Sequence, residues 1–247
     1  MVDNLEDTLN GGYKGLYGEV VTEDCYKIRQ LNFTPLVIFD LGANIGIFTR
    51  FARQLFPDSL IVSVEPDKEN FESLVKFTEP NNTVFINKAI GIGQIWKGSN
   101  PINGSGATYL NSGKFLSIGE MNNSESTGYM SKCDVESVMP DELINSYVKE
   151  GQKFLIKIDI EGNEHIIFTH KPSISAIKKA DYICMETHLY SFKSNYEEIK
   201  DNILLNLNYF KKTHDCIIDG GTKEKMHYDF FATKKINNGN TAQNPTS

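Results

Sequence analysis

The sequence has little cysteine and no long apolar run, and each absence excludes a class of protein. Its four cysteines stand far apart in 247 residues, with no C-x-x-C pair, so they predict neither a zinc site nor a disulfide framework but buried free thiols. No stretch approaches the roughly 20 apolar residues of a membrane span, and the acidic opening segment 1–7 lacks the basic and apolar parts of a secretory signal. We therefore expect a cytoplasmic protein without a membrane span.

Positive charge is also scarce. Lysine and arginine number 25 against 32 aspartates and glutamates, which gives a net charge of -7 and a pI near 5.3. Nonspecific binding to nucleic acid requires a basic protein surface that faces the phosphates. The composition therefore predicts no nucleic-acid partner.

From Leu36 onward, apolar β-type runs alternate with helical patterns, which is typical of a doubly wound α/β domain with a parallel sheet. The pattern predicts strands at 36–41, 60–65, 84–87, 154–159 and 182–186. It predicts helices at 45–55, 68–77, 141–150 and 196–205, and one after Gly162 that Pro172 interrupts. Two further strands, around 217–218 and 228–233, have the spacing of an antiparallel pair.

The chain divides into three parts that differ in composition. Residues 1–35 mix glycine and tyrosine and form either a loose lead-in or a flap over a pocket. Residues 36–235 form one α/β domain, and 236–247 have nothing to bury and are expected to be disordered. Within the domain, the Gly-, Ser- and Asn-rich region 91–130 is expected to hold hairpins and a mobile, substrate-facing piece.

The segment 37–46, VIFDLGANIG, is the most informative in the chain. An apolar strand breaks into a turn over Gly42, Ala43, Asn44 and Gly46, where glycines let the backbone approach a ligand and a new helix offers unpaired N–H groups. About 20 residues later Glu65 closes a second apolar strand, at the position where a doubly wound sheet holds a ribose. The pair predicts a nucleoside pocket; the alternative is a strand-to-helix turn with no ligand.

Asn44 indicates which nucleoside. It occupies the place of the middle glycine of G-x-G-x-x-G, so it narrows the approach for a pyrophosphate but can hydrogen-bond an amino-acid carboxylate or amine. Asp40, at the end of the strand, suits an ammonium partner. Together with Glu65 these residues predict S-adenosylmethionine, with its methionine end against Asp40 and the turn.

A second polar segment, KIDIEGNE at 157–164, also follows an apolar strand. Strand alternation places Lys157, Asp159 and Glu161 on one face, and such charges are costly at the carboxyl end of a central strand unless they line a site. Glu161 and Glu164 could instead serve only the dipole of the next helix.

His188 ends a third such segment, METH at 185–188, and could take a proton from a substrate hydroxyl near neutral pH. The alternative is a structural histidine. With Asp159, Glu161 and Glu186 it could also assemble a divalent-metal site. Nothing in the spacing demands a metal, and none is predicted.

These segments, in this order, resemble the FkbM family of S-adenosylmethionine-dependent methyltransferases over roughly residues 36–189. The resemblance rests on DLGANIG at 40–46, VEP at 64–66, KIDIEGNE at 157–164 and ETH at 186–188. It implies a seven-stranded class I methyltransferase sheet with an antiparallel last strand. It also implies methyl transfer to a hydroxyl oxygen, often on a sugar, glycan or natural product.

On the family pattern, Gly42, Asn44 and Gly46 line the cofactor, Glu65 binds its ribose, and Asp159 with Glu161 faces the reacting centre. Asn87 stands where many class I methyltransferases have an acid that contacts adenine, so the adenine contact is not assigned.

The predicted reaction is an in-line attack of an acceptor oxygen on the sulfonium methyl, with His188 as the first candidate base and Asp159 as the second. One alternative is a nicotinamide-dependent oxidoreductase, which shares the strand-turn-helix start but is disfavoured by Asn44. A nucleic-acid methyltransferase is disfavoured by the acidic charge and by the lack of an Asp/Asn-Pro-Pro-Tyr segment. A noncatalytic nucleotide-binding module is the third alternative. The oligomeric state is left open.

Overall fold

Strands and helices alternate along most of the chain. The computed structural model describes residues 13–99, 107–110, 131–188, 196–220 and 227–235. The α-helices are α1 (Lys14–Tyr17), α2 (Ile47–Leu55), α3 (Lys68–Phe77), α4 (Pro140–Tyr147), α5 (Glu164–Thr169), α6 (Lys171–Ile177) and α7 (Tyr196–Phe210). A π-helical turn spans Gly18–Thr22 and a 3-10 turn spans Ile28–Gln30.

Twelve strands form three sheets within the described residues. They are β1 (Val37–Leu41), β2 (Leu60–Val64), β3 (Thr83–Ile86), β4 (Ala89–Ile90), β5 (Ile95–Ser99), β6 (Ala107–Leu110), β7 (Ser131–Cys133), β8 (Ser137–Val138), β9 (Phe154–Ile158), β10 (Tyr182–His188), β11 (His214–Gly220) and β12 (His227–Lys234).

The main sheet has seven strands in the order β11-β12-β10-β9-β1-β2-β3. All its pairings are parallel except those of β12, which runs antiparallel to both β10 and β11. The predicted α/β class and the seven-stranded, mostly parallel sheet with an antiparallel last strand are therefore confirmed. In this topology the carboxyl ends of β1, β2, β9 and β10 meet at one edge of the sheet.

Several element boundaries differ from the predicted ones for visible reasons. β10 continues to His188, two residues past the predicted end, because β12 pairs with it along its whole length and sets His188 opposite His227. The helix expected after Gly162 is two helices, α5 and α6, with Pro172 in the first turn of α6. Proline is tolerated there because the N–H it lacks has no partner within the helix.

The irregular region after Gly91 contains hairpin strands, as predicted. β5 pairs antiparallel with both β6 and β7, and β4 pairs with β8 in a separate parallel pair. The mobile piece is expected within 91–130, and residues 100–106 and 111–130 of that region lie outside the described residues, as does the tail at 236–247.

Apolar side chains cover both faces of the main sheet, which makes a three-layer domain. One face carries Phe39 and Ile156 under α4 to α7, and the other carries Ile38 and Leu155 under α2. The second face also receives buried side chains from the amino-terminal segment: Val20, Val21, Tyr26 and Ile28. That segment is thus packed into the domain beside the carboxyl edge.

Two absences expected from the composition can be checked on the structure. Among the described residues, none of the helices has both the length and the apolar character needed to cross a bilayer. All four cysteines are free, but only Cys184 is buried. Cys25, Cys133 and Cys216 are partly exposed, so the prediction of buried thiols is wrong for these three.

Candidate functional site

The turn after β1 is tightly packed, and two of its glycines have positive φ and close neighbours. Gly42 has φ +82°, and a Cβ there would lie 1.8 Å from the backbone oxygen of Asp159. Gly46 has φ +87°, and a Cβ there would lie 2.6 Å from a methyl of Leu74 in α3. The protein's own packing therefore excludes a side chain at Gly42, where the contact is with backbone, and disfavours one at Gly46.

Asn44 and Glu65 lie together, as the sequence predicts. Asn44 adopts a left-handed conformation with φ 50°, which asparagine tolerates, and its Oδ1 accepts a hydrogen bond from the Ile45 N–H at 2.8 Å. Its own N–H donates to Glu65 Oε2 at 2.8 Å, while the Asp67 N–H donates to Glu65 Oε1 at 2.9 Å. Burial raises the pKa of the Glu65 carboxyl to about 7, although these two backbone donors oppose the shift.

Asp40 is fully buried and already has a cationic partner. Its Oδ2 accepts a hydrogen bond from Thr49 Oγ1 at 2.6 Å, and its Oδ1 lies 3.2 Å from Lys157 Nζ. The strand register explains the pair, because Asp40 in β1 lies directly opposite Lys157 in β9. The ammonium predicted for Asp40 is thus supplied by the chain itself.

Lys157 links Asp40 to the turn. Its Nζ donates a hydrogen bond to the Gly42 carbonyl oxygen at 2.6 Å. Burial opposes the charge, but the Asp40 and Asp159 carboxylates raise the pKa of Lys157, so the ammonium form persists. Asp40 therefore acts on the turn through Lys157.

Asp159 is anchored through one of its two oxygens. Oδ2 accepts a hydrogen bond from the Tyr26 hydroxyl at 2.8 Å and lies 3.6 Å from Lys157 Nζ. Burial alone would raise the pKa of Asp159, but Lys157 and His188 lower it below its usual value. Tyr26, from the amino-terminal segment, was missed by sequence reasoning, since nothing in its local pattern signals a contact 133 residues away.

Glu164 holds the loop after β9 and the imidazole of His188. It is completely buried, and its carboxylate accepts hydrogen bonds from the Ile160 and Gly162 N–H groups at 3.1 and 2.9 Å. His188 Nδ1 lies 3.2 Å from Glu164 Oε1. Glu164 is the first residue of α5, as a helix-dipole acid would be, but it also positions the histidine.

The other imidazole nitrogen of His188 faces three carboxylates. Nε2 lies 3.4 Å from Glu186, 3.7 Å from Glu161 and 3.9 Å from Asp159. Burial would lower the pKa of His188, but Glu164 and the surrounding carboxylates raise it well above its usual range. The structure thus brings together the predicted Asp159, Glu161 and His188.

Asn87 contacts the backbone that follows β2. Its side-chain amide donates hydrogen bonds to the backbone oxygens of Glu65 and Pro66, at 2.8 and 3.1 Å. Asn87 thus fixes the loop that carries Glu65.

The edge of the sheet therefore has two adjoining halves. The first half is the turn 42–46 with Glu65, which suits a nucleoside with a small polar tail. The second half is Asp159, Glu161 and His188, which offers acid, base and cation-binding groups to a second molecule. They meet where Gly42 touches the backbone of Asp159.

A family model matches most of this chain. The model of the FkbM methyltransferase domain matches residues 40–215, which include every predicted site residue in both halves of the edge.

One curated relative is methyltransferase sdnD from Sordaria araneosa, 26% identical over 174 residues. The match covers 60% of this chain and 65% of the relative, so the chain spans 65% of that relative's length.

Two solved structures are similar to this chain at lower sequence identity than the curated relative. One is a putative rRNA-methylase from Clostridium thermocellum, with 9% sequence identity and a TM-score of 0.46. The superposition covers 92% of this chain and 97% of that protein's chain. The other is the magnesium protoporphyrin IX methyltransferase of Synechocystis PCC 6803, which was solved with bound SAM. It has 10% sequence identity and a TM-score of 0.41, and the superposition covers 90% of this chain and 80% of that protein's chain. Both TM-scores lie below 0.5.

Proposed function

Because this chain belongs to the FkbM methyltransferase family, we propose that it takes a methyl group from S-adenosylmethionine and transfers it to a hydroxyl oxygen on a sugar, glycan or natural-product acceptor. The family match counts against a nicotinamide-dependent oxidoreductase. Methyl transfer itself belongs to the proposal, and its detection would exclude a noncatalytic nucleotide-binding module. The acceptor class and the cytoplasmic location belong to the proposal.

The observation that carries the proposal is the junction of the two halves of the edge. A Cβ at Gly42 would lie 1.8 Å from the Asp159 carbonyl oxygen, so a cofactor on the turn would lie next to the acidic cluster. Attack on a sulfonium methyl requires the acceptor atom to be held close to the methyl carbon and in line with its bond to sulfur. The carboxylates of the cluster are hydrogen-bond acceptors, so they can bind the O–H group of an acceptor hydroxyl.

In the proposed pocket, Glu65 accepts the ribose hydroxyls, and the backbone of Gly42, Ala43, Asn44 and Gly46 surrounds the methionine end. Asp40 has an indirect part, since it is fully buried and fixes Lys157, which in turn holds the Gly42 carbonyl.

In the proposed reaction, a bond forms between the acceptor oxygen and the methyl carbon while the carbon–sulfur bond breaks. The electron pair of the broken bond stays on sulfur, which gives S-adenosylhomocysteine. The hydroxyl proton must pass to a group at the edge, and Asp159, Glu161 and His188 face the place where the acceptor would lie.

His188 meets one obstacle as the base. The surrounding carboxylates raise its pKa, and a protonated imidazole has no lone pair with which to accept a proton. His188 can be the base only after its proton has been displaced. Asp159 is ionised but is a weak base, because Lys157 and His188 lower its pKa despite its burial.

The test uses the purified full chain with S-adenosylmethionine labelled in the methyl group. It is incubated with separate pools of sugars, glycans and hydroxylated natural products, and with a pool of carboxylic acids and amines as the comparison. The proposal expects label in a hydroxyl pool, in a product that survives mild alkali as an ether does. Label only in amines, or only in alkali-labile esters, would refute hydroxyl methylation and leave the family assignment intact.

A further inference from the structure

We propose that Asp159, Glu161 and His188 bind a divalent cation of the Mn²⁺ type that holds the acceptor oxygen. The inference rests on the proposed function, because it assigns these three residues to the acceptor half of the site. It also replaces the role of His188 as base with a role as ligand.

The spacing of the three side chains fits a single ion. One donor atom from each of Asp159, Glu161 and His188 can be chosen so that all lie within 4.8 Å of one another. His188 Nε2 is 3.7 Å from Glu161 Oε2 and 3.9 Å from Asp159 Oδ1. Atoms bound side by side on one cation lie about 3–4 Å apart, so small side-chain movements would close the shell.

His188 is oriented as a ligating histidine needs to be. Its Nδ1 faces the buried Glu164 carboxylate at 3.2 Å, which directs Nε2 toward Asp159 and Glu161. A carboxylate behind a histidine fixes the tautomer and ring angle of metal-bound imidazoles in general. The imidazole is also 95% buried, so its direction is set by packing and not by solvent.

Asp159 is arranged in a similar way. The Tyr26 hydroxyl and Lys157 hold its Oδ2, which leaves Oδ1 on the side of His188. One side of each residue is therefore held in place, and the remaining atoms, His188 Nε2 and Asp159 Oδ1, face each other.

The charge of the cluster favours a cation. Four carboxylates, those of Asp159, Glu161, Glu164 and Glu186, lie within 4 Å of the imidazole of His188. Lys157 also faces Asp159, but it is shared with Asp40. A divalent ion between these side chains would offset this negative charge.

The donor set indicates the class of ion. Carboxylate oxygens suit Mg²⁺, Ca²⁺ and Mn²⁺, whereas imidazole suits transition metals, and Mn²⁺ accepts both. An ion held here would polarise an acceptor hydroxyl bound to it and lower its pKa, so a weaker base would suffice.

The test measures Mn²⁺ binding to the chelator-treated full chain by the electron paramagnetic resonance signal of free Mn²⁺. We expect one saturable site, at least tenfold weaker binding in Asp159→Asn, Glu161→Gln and His188→Gln, and wild-type binding in Glu72→Gln. Glu72 is a suitable control because it is an exposed carboxylate on α3, in a surface pair with Lys68. Glu161→Gln is the most informative variant, since its side chain is 46% exposed and its loss should not affect folding.

S-adenosylhomocysteine titration of the same variants shows that the cofactor half is intact. The inference is overturned if the wild type shows no saturable site at about 1 mM Mn²⁺, or if Glu161→Gln binds Mn²⁺ as the wild type does.

Activity separates this inference from the proposed function. Hydroxyl methylation that continues at the full rate after chelation overturns the cation site and leaves the proposed function standing. Residue-dependent Mn²⁺ binding without hydroxyl methylation supports the cation site and counts against the proposed function.

Discussion

At the scale of single residues, the turn after β1 depends on the absence of one side chain. Gly42 lies against the backbone of the loop after β9, and its carbonyl oxygen accepts a hydrogen bond from the ammonium group of Lys157. The turn, the buried Asp40–Lys157 pair and Asp159 are therefore joined by direct contacts. Disturbing Gly42 should disturb both halves of the edge.

We expect Gly42→Ala to destabilise the protein by about 3 kcal/mol or more, because the new methyl meets backbone atoms that cannot rotate away. Gly151→Ala is the matched control: it also has positive φ, +79°, but no atom lies within 4 Å of the added Cβ. It should cost only about 1–2 kcal/mol. Urea unfolding of both variants gives the two values. Equal losses would show that conformation, and not the close approach to Asp159, determines the cost.

Glu65 gives a prediction about pH. Its pKa is raised to about 7 by burial, so it loses its charge as the pH falls through 7, and the neutral carboxyl has one acceptor fewer for the ribose hydroxyls. S-adenosylhomocysteine should therefore bind about tenfold more weakly at pH 6 than at pH 8.

Calorimetric titration at several pH values measures this dependence. Glu65→Gln should bind weakly at every pH, with a flat profile between 6 and 8, while the surface variant Glu72→Gln should keep the wild-type profile. A slope that persists in Glu65→Gln would assign the titration to another group.

At the scale of elements, the segment from Tyr13 to Phe33 is the part whose role the sequence leaves most open. Both readings of it, a loose lead-in and a flap, treat it as peripheral. In the structure Val20, Val21 and Ile28 pack in the core on the α2 side of the sheet, and Tyr26 reaches Asp159. We expect the segment to contribute substantially to stability.

Ile28→Ala tests this directly. Ile28 is 1% exposed, so its truncation should cost about 2–4 kcal/mol if the segment is firmly packed. Leu205→Ala removes a side chain that is 69% exposed and should cost less than about 0.5 kcal/mol. The measurement is again the urea midpoint. An Ile28→Ala midpoint equal to that of the wild type would mean that the segment is only loosely attached.

Elements with a strong local pattern could be predicted from the sequence. α3 has the predicted range 68–77, because Asp67 caps it and accepts hydrogen bonds from the Glu69 and Asn70 N–H groups. The extension of β10 to His188 could not be predicted, since it depends on pairing with β12, about 40 residues further along the chain. Local pattern sets where an element starts, and a distant partner can set where it ends.

At the scale of the whole molecule, the sheet order is what assembles the site. β9 lies between β1 and β10, so segments more than 100 residues apart in sequence share one edge. The parallel order followed from the alternating pattern, and the grouping of Asp159, Glu161 and His188 followed from their positions after neighbouring strands.

What could not be predicted were the partners inside the site. The Asp40–Lys157 pair depends on strand register, and the Tyr26 contact depends on the path of the amino-terminal segment. The raised pKa of His188 depends on the carboxylates that converge on it. Each of these is set by the tertiary arrangement and not by a local pattern. They alter the expected role of Asp40 and the assignment of the base.

The most direct test of the account is the effect of His188→Ala on methyl transfer, measured beside its affinity for S-adenosylhomocysteine. His188 lies in the acceptor half of the edge, so its loss should leave the cofactor half unchanged. We predict that turnover on a hydroxyl acceptor falls at least about 100-fold, while the dissociation constant for S-adenosylhomocysteine stays within a few-fold of the wild-type value. Turnover within a few-fold of the wild type would contradict the account, because the cluster around His188 would then have no part in the reaction.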